Sequence, residues 1–224
     1  MGDISKKELA GLIDYSALSA DTTAEKVNKV CDDAILYGFH SVCINPCYIE
    51  TARRSLEGSE VKVVAVLAYP LGATLSKVKA FEAIEYVNKG ADELDMVMNI
   101  GAFKSGDLDL VKRDIRSVVD TARGANAKTV IKVIIETGLL TEDEIIQASK
   151  LVKEAGADFV KSGTGWGKGA TIGDVMLMRN AVGDGFGVKA AGGITTLKQC
   201  VDLVNAGANR IGTSSGLTIM GEFE

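Results

Sequence analysis

"G-A-D-E-L-D-M-V-M", residues 90–98, ends one amphipathic stretch on a glycine and opens an apolar segment that carries a single interior aspartate. The Gly-Ala-Asp/Asn start recurs in "G-A-D-F-V-K" (156–161) and at Gly207, with a looser copy at Gly38. Glycine at that point terminates a helix and turns the chain into a strand. Successive copies lie about two strand-helix units apart, so the motif marks every second strand of a repeating architecture.

The rest of the chain supplies the intervening units. Apolar runs at 12–16, 42–45, 61–67, 94–98, 130–135, 159–161, 188–191 and 210–213 alternate with amphipathic helical patterns such as 76–89, 108–122 and 142–154. Thr22 with Glu25, and Thr141 with Glu144, have the spacing of helix-opening capping boxes. Eight alternating β and α units predict a parallel sheet closed into an α/β (β/α)8 TIM barrel. No Pro/Ser-rich linker divides the 224 residues, so one domain over 1–224 is expected.

Composition excludes several classes of function. A net charge of −5 without a basic block argues against a nucleic-acid partner. No apolar stretch has the length of a signal peptide or a membrane span, which points to a cytoplasmic protein with no membrane partner. The four cysteines form one Cys-x-x-x-Cys pair without a second, and His40 is the only histidine. A zinc site and a Ser-His-Asp triad are both disfavoured, and no metal or cofactor is expected.

The repeat also sorts side chains. Four residues beyond each marker glycine stand Val42, Leu94, Val160 and Ile211; five beyond stand Cys43, Asp95, Lys161 and Gly212. Strand side chains alternate, so the aliphatic set faces the helices and the second set faces the barrel interior. Alternate strands of such a barrel contribute one layer of four. A thiol, a carboxylate, an ammonium and an empty position make poor core material, and together they read as a site. Lys132 and Lys189 are the interior candidates of the odd strands, Lys189 flanking Lys161 and Lys132 flanking Asp95.

Lysine is a nucleophile only when neutral, and burial or a second ammonium favours that form. The cluster therefore suits Schiff-base chemistry, with Asp95 moving protons, through a water if the two-strand separation is not bridged directly. A purely structural ion network is the competing reading. Glycine- and hydroxyl-rich segments follow strands 6, 7 and 8 at 162–167, 191–196 and 212–216, where barrel enzymes cradle phosphate.

These residues resemble class I deoxyribose-phosphate aldolases nearly end to end. The likeness runs through "V-C-I-N-P" (42–46), "P-L-G-A-T" (70–74), residues 90–102, "K-V-I-I-E-T" (132–137), "G-A-D-F-V-K" (156–161), "V-K-A-A-G-G-I" (188–194) and "R-I-G-T-S-S-G" (210–216). The resemblance implies reversible cleavage of 2-deoxy-D-ribose 5-phosphate to D-glyceraldehyde 3-phosphate and acetaldehyde, without metal, by a homo-oligomer (dimer or tetramer). It implies Lys161 as the Schiff-base lysine and Asp95 and Lys189 as the proton relay. Gly165, Gly192, Gly193, Ser214 and Ser215 would hold the phosphate. Thr164, Gly212, Lys132 and Cys43 are further candidate substrate contacts, an interior filler being the competing reading of Cys43.

Several positions depart from the family pattern: "D-Y-S-A-L" (14–18), "A-Y-P" (68–70), "K-S-G-T-G" (161–165) and "G-G-I-T-T" (192–196), where Thr195 stands in place of a frequent arginine. The final "I-M-G-E-F-E" (219–224) has no tyrosine. Another Schiff-base lyase acting on a related carbonyl compound, and a non-catalytic barrel that binds a phosphorylated metabolite, are the alternatives. Trp166 is read as lining the mouth or packing on a helix, His40 as a surface or capping residue, and Met96 and Met98 as packing beneath the helices.

Overall fold

The computed structural model describes residues 4–223. Eight parallel strands close into a barrel in chain order: β1 (Ile13–Ala17), β2 (Ser41–Ile44), β3 (Lys62–Leu67), β4 (Glu93–Val97), β5 (Val130–Ile134), β6 (Phe159–Lys161), β7 (Gly187–Ala191) and β8 (Arg210–Thr213). Helices α1 (Lys6–Ala10), α2 (Ala24–Tyr37), α3 (Ile49–Ser55), α4 (Ser76–Asn88), α5 (Ile100–Lys104), α6 (Leu108–Ala125), α7 (Glu142–Glu154), α8 (Ile172–Val182), α9 (Leu197–Asn205) and α10 (Gly216–Gly221) fill the connections. The expected (β/α)8 barrel is the observed fold. Among the described residues, no helix is long and apolar enough to cross a membrane.

The Thr141–Glu144 capping box opens α7 as expected. The Thr22–Glu25 box does not form. Thr22 N–H turns back to the Ser19 carbonyl, α2 begins one residue later, and Thr23 caps it through the Lys26 N–H. Lys26 cannot return the second hydrogen bond of a capping box, because it carries no acceptor.

Strand parity separates two environments. Val42, Leu94, Met96, Val133, Val160, Val188 and Ile211 are fully buried and join the helices in one apolar sleeve. Met98 packs there too. Each such side chain stabilises by roughly 1.5–3 kcal/mol, so the sleeve between strands and helices holds the barrel together while its interior is left free for polar groups.

Carrying the register once around the sheet displaces β1 on itself by eight residues. A slip of one residue per strand is what this barrel geometry requires, and it assigns the interior layers. From the N-terminal end upward, the register groups Ser41, Glu93, Phe159 and Arg210; then Asp14, Val64, Lys132 and Lys189; then Cys43, Asp95, Lys161 and Gly212. The third layer is the one read from the glycine repeat. It lies near the C-terminal mouth, below Ser16, Val66, Ile134 and Ala191.

Candidate active site

Asp95 is the hub of the interior. Its Oδ1 accepts from Lys132 Nζ at 2.8 Å, and its Oδ2 accepts from Lys161 Nζ at 2.8 Å and Lys189 Nζ at 2.7 Å. Cys43 Sγ lies 3.9 Å from Oδ2. The contact between Asp95 and Lys161 is direct; no bridging water is needed, because both side chains lean across the layer toward the barrel axis. Gly212, the empty position, has a definite use: a Cβ there would come within 3.0 Å of Lys189 Cε and 2.9 Å of Ala191 Cβ. Its missing side chain leaves room for Lys189 to rise from the layer below and reach Asp95.

Sequence reasoning missed the lower half of this network. Asp14 accepts from Lys189 Nζ, from Ser41 Oγ at 2.6 Å and from Arg210 at 2.9 Å. Glu93 accepts from Lys132 at 2.5 Å and Arg210 at 3.1 Å. His40 is not a surface or capping residue: its Nε2 lies 3.0 Å from Glu93 Oε1 and the side chain is half-buried. Glu93 and Arg210 precede Asp95 and Gly212 by two positions on the same strands, so strand parity alone carried the signal. Asp14 was detectable as the only charge in an apolar strand. Asp14, His40 and Glu93 also have the proximity of a metal site, but Lys132 and Arg210 already engage their carboxylates.

Burial by itself would raise the Asp95 carboxyl; Lys132, Lys161 and Lys189 outweigh it and hold the group well below the usual carboxylate range. Asp14 is likewise depressed against its burial, by Lys189, Lys132 and Arg210. In the other direction, burial would favour neutral Lys132 and Lys189, yet the carboxylates around them keep both pKa values raised and both side chains cationic. Cys43 is pushed up by burial and by Asp95, so it stays a thiol.

Glu93 gives this network a measurable pH dependence. Burial opposes its ionisation, but Lys132 and the His40 hydrogen bond bring it from 4.5 down to about 2. A depressed carboxyl contributes stability above its unfolded pKa and loses it as pH falls through the folded value, here about 3 kcal/mol between about pH 4.5 and 2. Urea denaturation across that window is expected to show a steep fall that is shallower in Glu93→Gln. Equal slopes in the two proteins would exclude Glu93 as a source of acid lability.

Above the network a cavity of about 470 Å³ opens at the C-terminal mouth. Lys161 is the only lysine in its wall; Lys132, Lys189, Asp95 and Cys43 are sealed beneath. Leu18 and Tyr69 form one side, backed by the interior apolar cluster of Cys43, Val64 and Val66. The other side comes from the loops after β6, β7 and β8, with Thr164, Gly165, Gly192, Gly193, Gly212 and Ser214. Gly192 and Gly193 have φ of +104° and +68°, a backbone that side chains resist, and both line the cavity. Ser215 lies just outside this wall, at the start of α10, where its N–H donates to Thr213 Oγ1. Trp166, 65% exposed, lines the mouth, and so does Thr195. An amine at the floor, a proton-bearing pair behind it and a rim of backbone donors can hold a small phosphorylated carbonyl compound and form a bond to it.

Known proteins share this architecture. A deoxyribose-phosphate aldolase of Thermococcus gammatolerans is 54% identical, the match covering 95% of each chain. One from Caldicellulosiruptor saccharolyticus is 48% identical over 98% of this chain and 100% of its own. Among solved structures, a deoxyribose phosphate aldolase of Aeropyrum pernix, described as a unique tetramer, superposes with a TM-score of 0.90 at 33% identity, covering 98% of this chain and 92% of that one. The family model for DeoC/LacD aldolases spans residues 9–221, from the helix before β1 to the last helix, so that every strand carrying a residue of the lysine cluster falls within it, and the chain belongs to that family.

Proposed function

We propose that this chain is a class I aldolase that reversibly cleaves 2-deoxy-D-ribose 5-phosphate to D-glyceraldehyde 3-phosphate and acetaldehyde, with Lys161 as the Schiff-base lysine. The observation that carries the reading is that, of the three lysines on Asp95, Lys161 alone reaches the cavity. The interior counts three carboxylates, Asp14, Glu93 and Asp95, against the four cations Lys132, Lys161, Lys189 and Arg210. Of these cations, Lys161 is the member whose side chain lines the cavity.

The neutral Nζ of Lys161 adds to the sugar's C1 carbonyl, and loss of water from the carbinolamine leaves an iminium. The C3 hydroxyl then gives up its proton, the C2–C3 bond breaks, and its electron pair flows into the iminium to form an enamine. Glyceraldehyde 3-phosphate departs. Protonation of C2 and hydrolysis release acetaldehyde and restore the lysine. Asp95 and Lys189 supply and remove the protons at the C1 oxygen and at C2, and the proton released by the C3 hydroxyl passes to the same pair, supported by the shared contact of Asp95 Oδ2 with Lys161 and Lys189. The phosphate rests on the Gly192, Gly193 and Ser214 end of the cavity. Borohydride reduction in the presence of acetaldehyde tests the reading: a two-carbon adduct on Lys161 is expected, and its absence would refute the assignment.

The phosphate end is poor in cations, since Lys161 is the only lysine or arginine in the cavity wall. That observation favours a broad acceptance of unphosphorylated aldehydes. Thr195 lies exposed at that end, and Thr195→Arg is expected to lower KM for the phosphorylated sugar about 10-fold with little change for deoxyribose itself. Equal effects on both substrates would argue against a phosphate at this rim. Self-association into a dimer or tetramer belongs to the same reading, supported by the exposed Leu75, Val78 and Phe81 at and along the start of α4.

A further inference from the structure

Thr164 is held at every polar atom of its backbone. Its N–H donates to Glu136 Oε2 at 3.0 Å, and its carbonyl accepts from the Tyr69 hydroxyl at 2.7 Å. Its side-chain oxygen accepts the Trp166 N–H at 3.2 Å. Thr164 is 7% exposed and forms part of the cavity wall beside Lys161. Among the described residues its hydroxyl proton has no acceptor. An oxygen committed to one N–H, with its proton uncommitted, is a donor already aimed.

The two groups that hold it come from different strands. Tyr69 follows β3, and its ring lines the cavity opposite the glycine loops. Glu136 follows β5 with φ +53°, left-handed for a residue with a side chain. Its carboxylate is buried, and Oε1 lacks a partner among the described residues. A Cβ at Gly167 would come within 2.8 Å of that oxygen, so the loop leaves just enough room for the carboxylate beneath it. An unpaired buried oxygen and a strained backbone both oppose folding, and both are consequences of bringing this carboxylate under Thr164.

We propose that Tyr69 and Glu136 are positioning residues that clamp the two peptide groups flanking Thr164 and so aim its hydroxyl at an oxygen of the aldehyde bound to Lys161. The inference rests on the reading of Lys161 as the Schiff-base lysine. The hydroxyl contacts the sugar before and during bond cleavage alike, so its loss raises KM more than it lowers kcat.

A double-mutant cycle tests the clamp, because Tyr69→Phe removes one oxygen while Thr164→Val removes the hydroxyl and keeps the carbonyl that Tyr69 holds. Expected are a KM about fivefold higher in Tyr69→Phe and about tenfold higher in Thr164→Val. The double variant should match Thr164→Val, with kcat within about twofold throughout. An undiminished fivefold effect of Tyr69→Phe in the Thr164→Val background, or no effect in either, overturns the clamp. Glu136→Gln, which keeps an acceptor for the Thr164 N–H, should stay near the parent KM while Glu136→Ala does not; equal behaviour of the two also overturns it. Borohydride trapping with acetaldehyde accompanies each variant. An adduct on Lys161 in all of them with a failed cycle rejects the clamp alone, whereas no adduct in the unsubstituted protein rejects the Schiff-base reading beneath it.

Discussion

Lys161→Ala is expected to reduce cleavage of deoxyribose 5-phosphate by at least about 10,000-fold and to abolish borohydride trapping. Removing a covalent nucleophile leaves only binding and surrounding electrostatics to act on the substrate. The loss is not one of folding. Asp95 retains Lys132 and Lys189 within 2.8 Å, so the variant should unfold close to the parent in urea. Lys161→Arg separates the two meanings of this residue. Arginine preserves a cation for Asp95 but is never neutral at ordinary pH and forms no such adduct. A nucleophilic role predicts an inactive Arg variant; substantial activity in it would reduce Lys161 to a member of an ion network.

Asp95→Asn is expected to damage both chemistry and fold. Proton transfer by a positioned side chain contributes about 100- to 10,000-fold, and kcat should fall within that range. The amide also leaves Lys132, Lys161 and Lys189 converging on a group without charge, all three nearly or fully buried. Breaking a buried pair by removing one partner costs about 3–5 kcal/mol. Lys132 keeps Glu93 and Lys189 keeps Asp14, so the variant should fold but with reduced stability at neutral pH. Urea denaturation at pH 7 checks this. A variant as stable as the parent at pH 7 would show that Asp95 is not the counterion of the cluster.

The barrel was legible because its signals are local. Gly90, Gly156 and Gly207 each end a helix, and the alternation of Leu94 with Asp95 or Val160 with Lys161 needs only the period of a strand. That parity sufficed to name the layer of Cys43, Asp95, Lys161 and Gly212. The start of α2 was less legible, since Thr22 and Thr23 both offer a capping hydroxyl and the choice follows from the turn back to Ser19. Glu93 and Arg210 obeyed the same parity as the residues noticed. Both stand at the start of a strand, where a charge commonly points to solvent, and here barrel closure encloses them.

The residues alone thus determined where the strands run, which side chains enter the barrel, and that lysines and a carboxylate meet inside it. Only the tertiary structure decided which lysine opens to the cavity. Register and shear raise Lys161 one layer above Lys132 and Lys189, and the missing side chain of Gly212 lets Lys189 reach Asp95 from below. The structure likewise brought Asp14 to Lys189 and Arg210, partners 175 and 196 positions away. Such contacts exist because the last strand closes on the first, and no local period of apolar and polar residues encodes that distance.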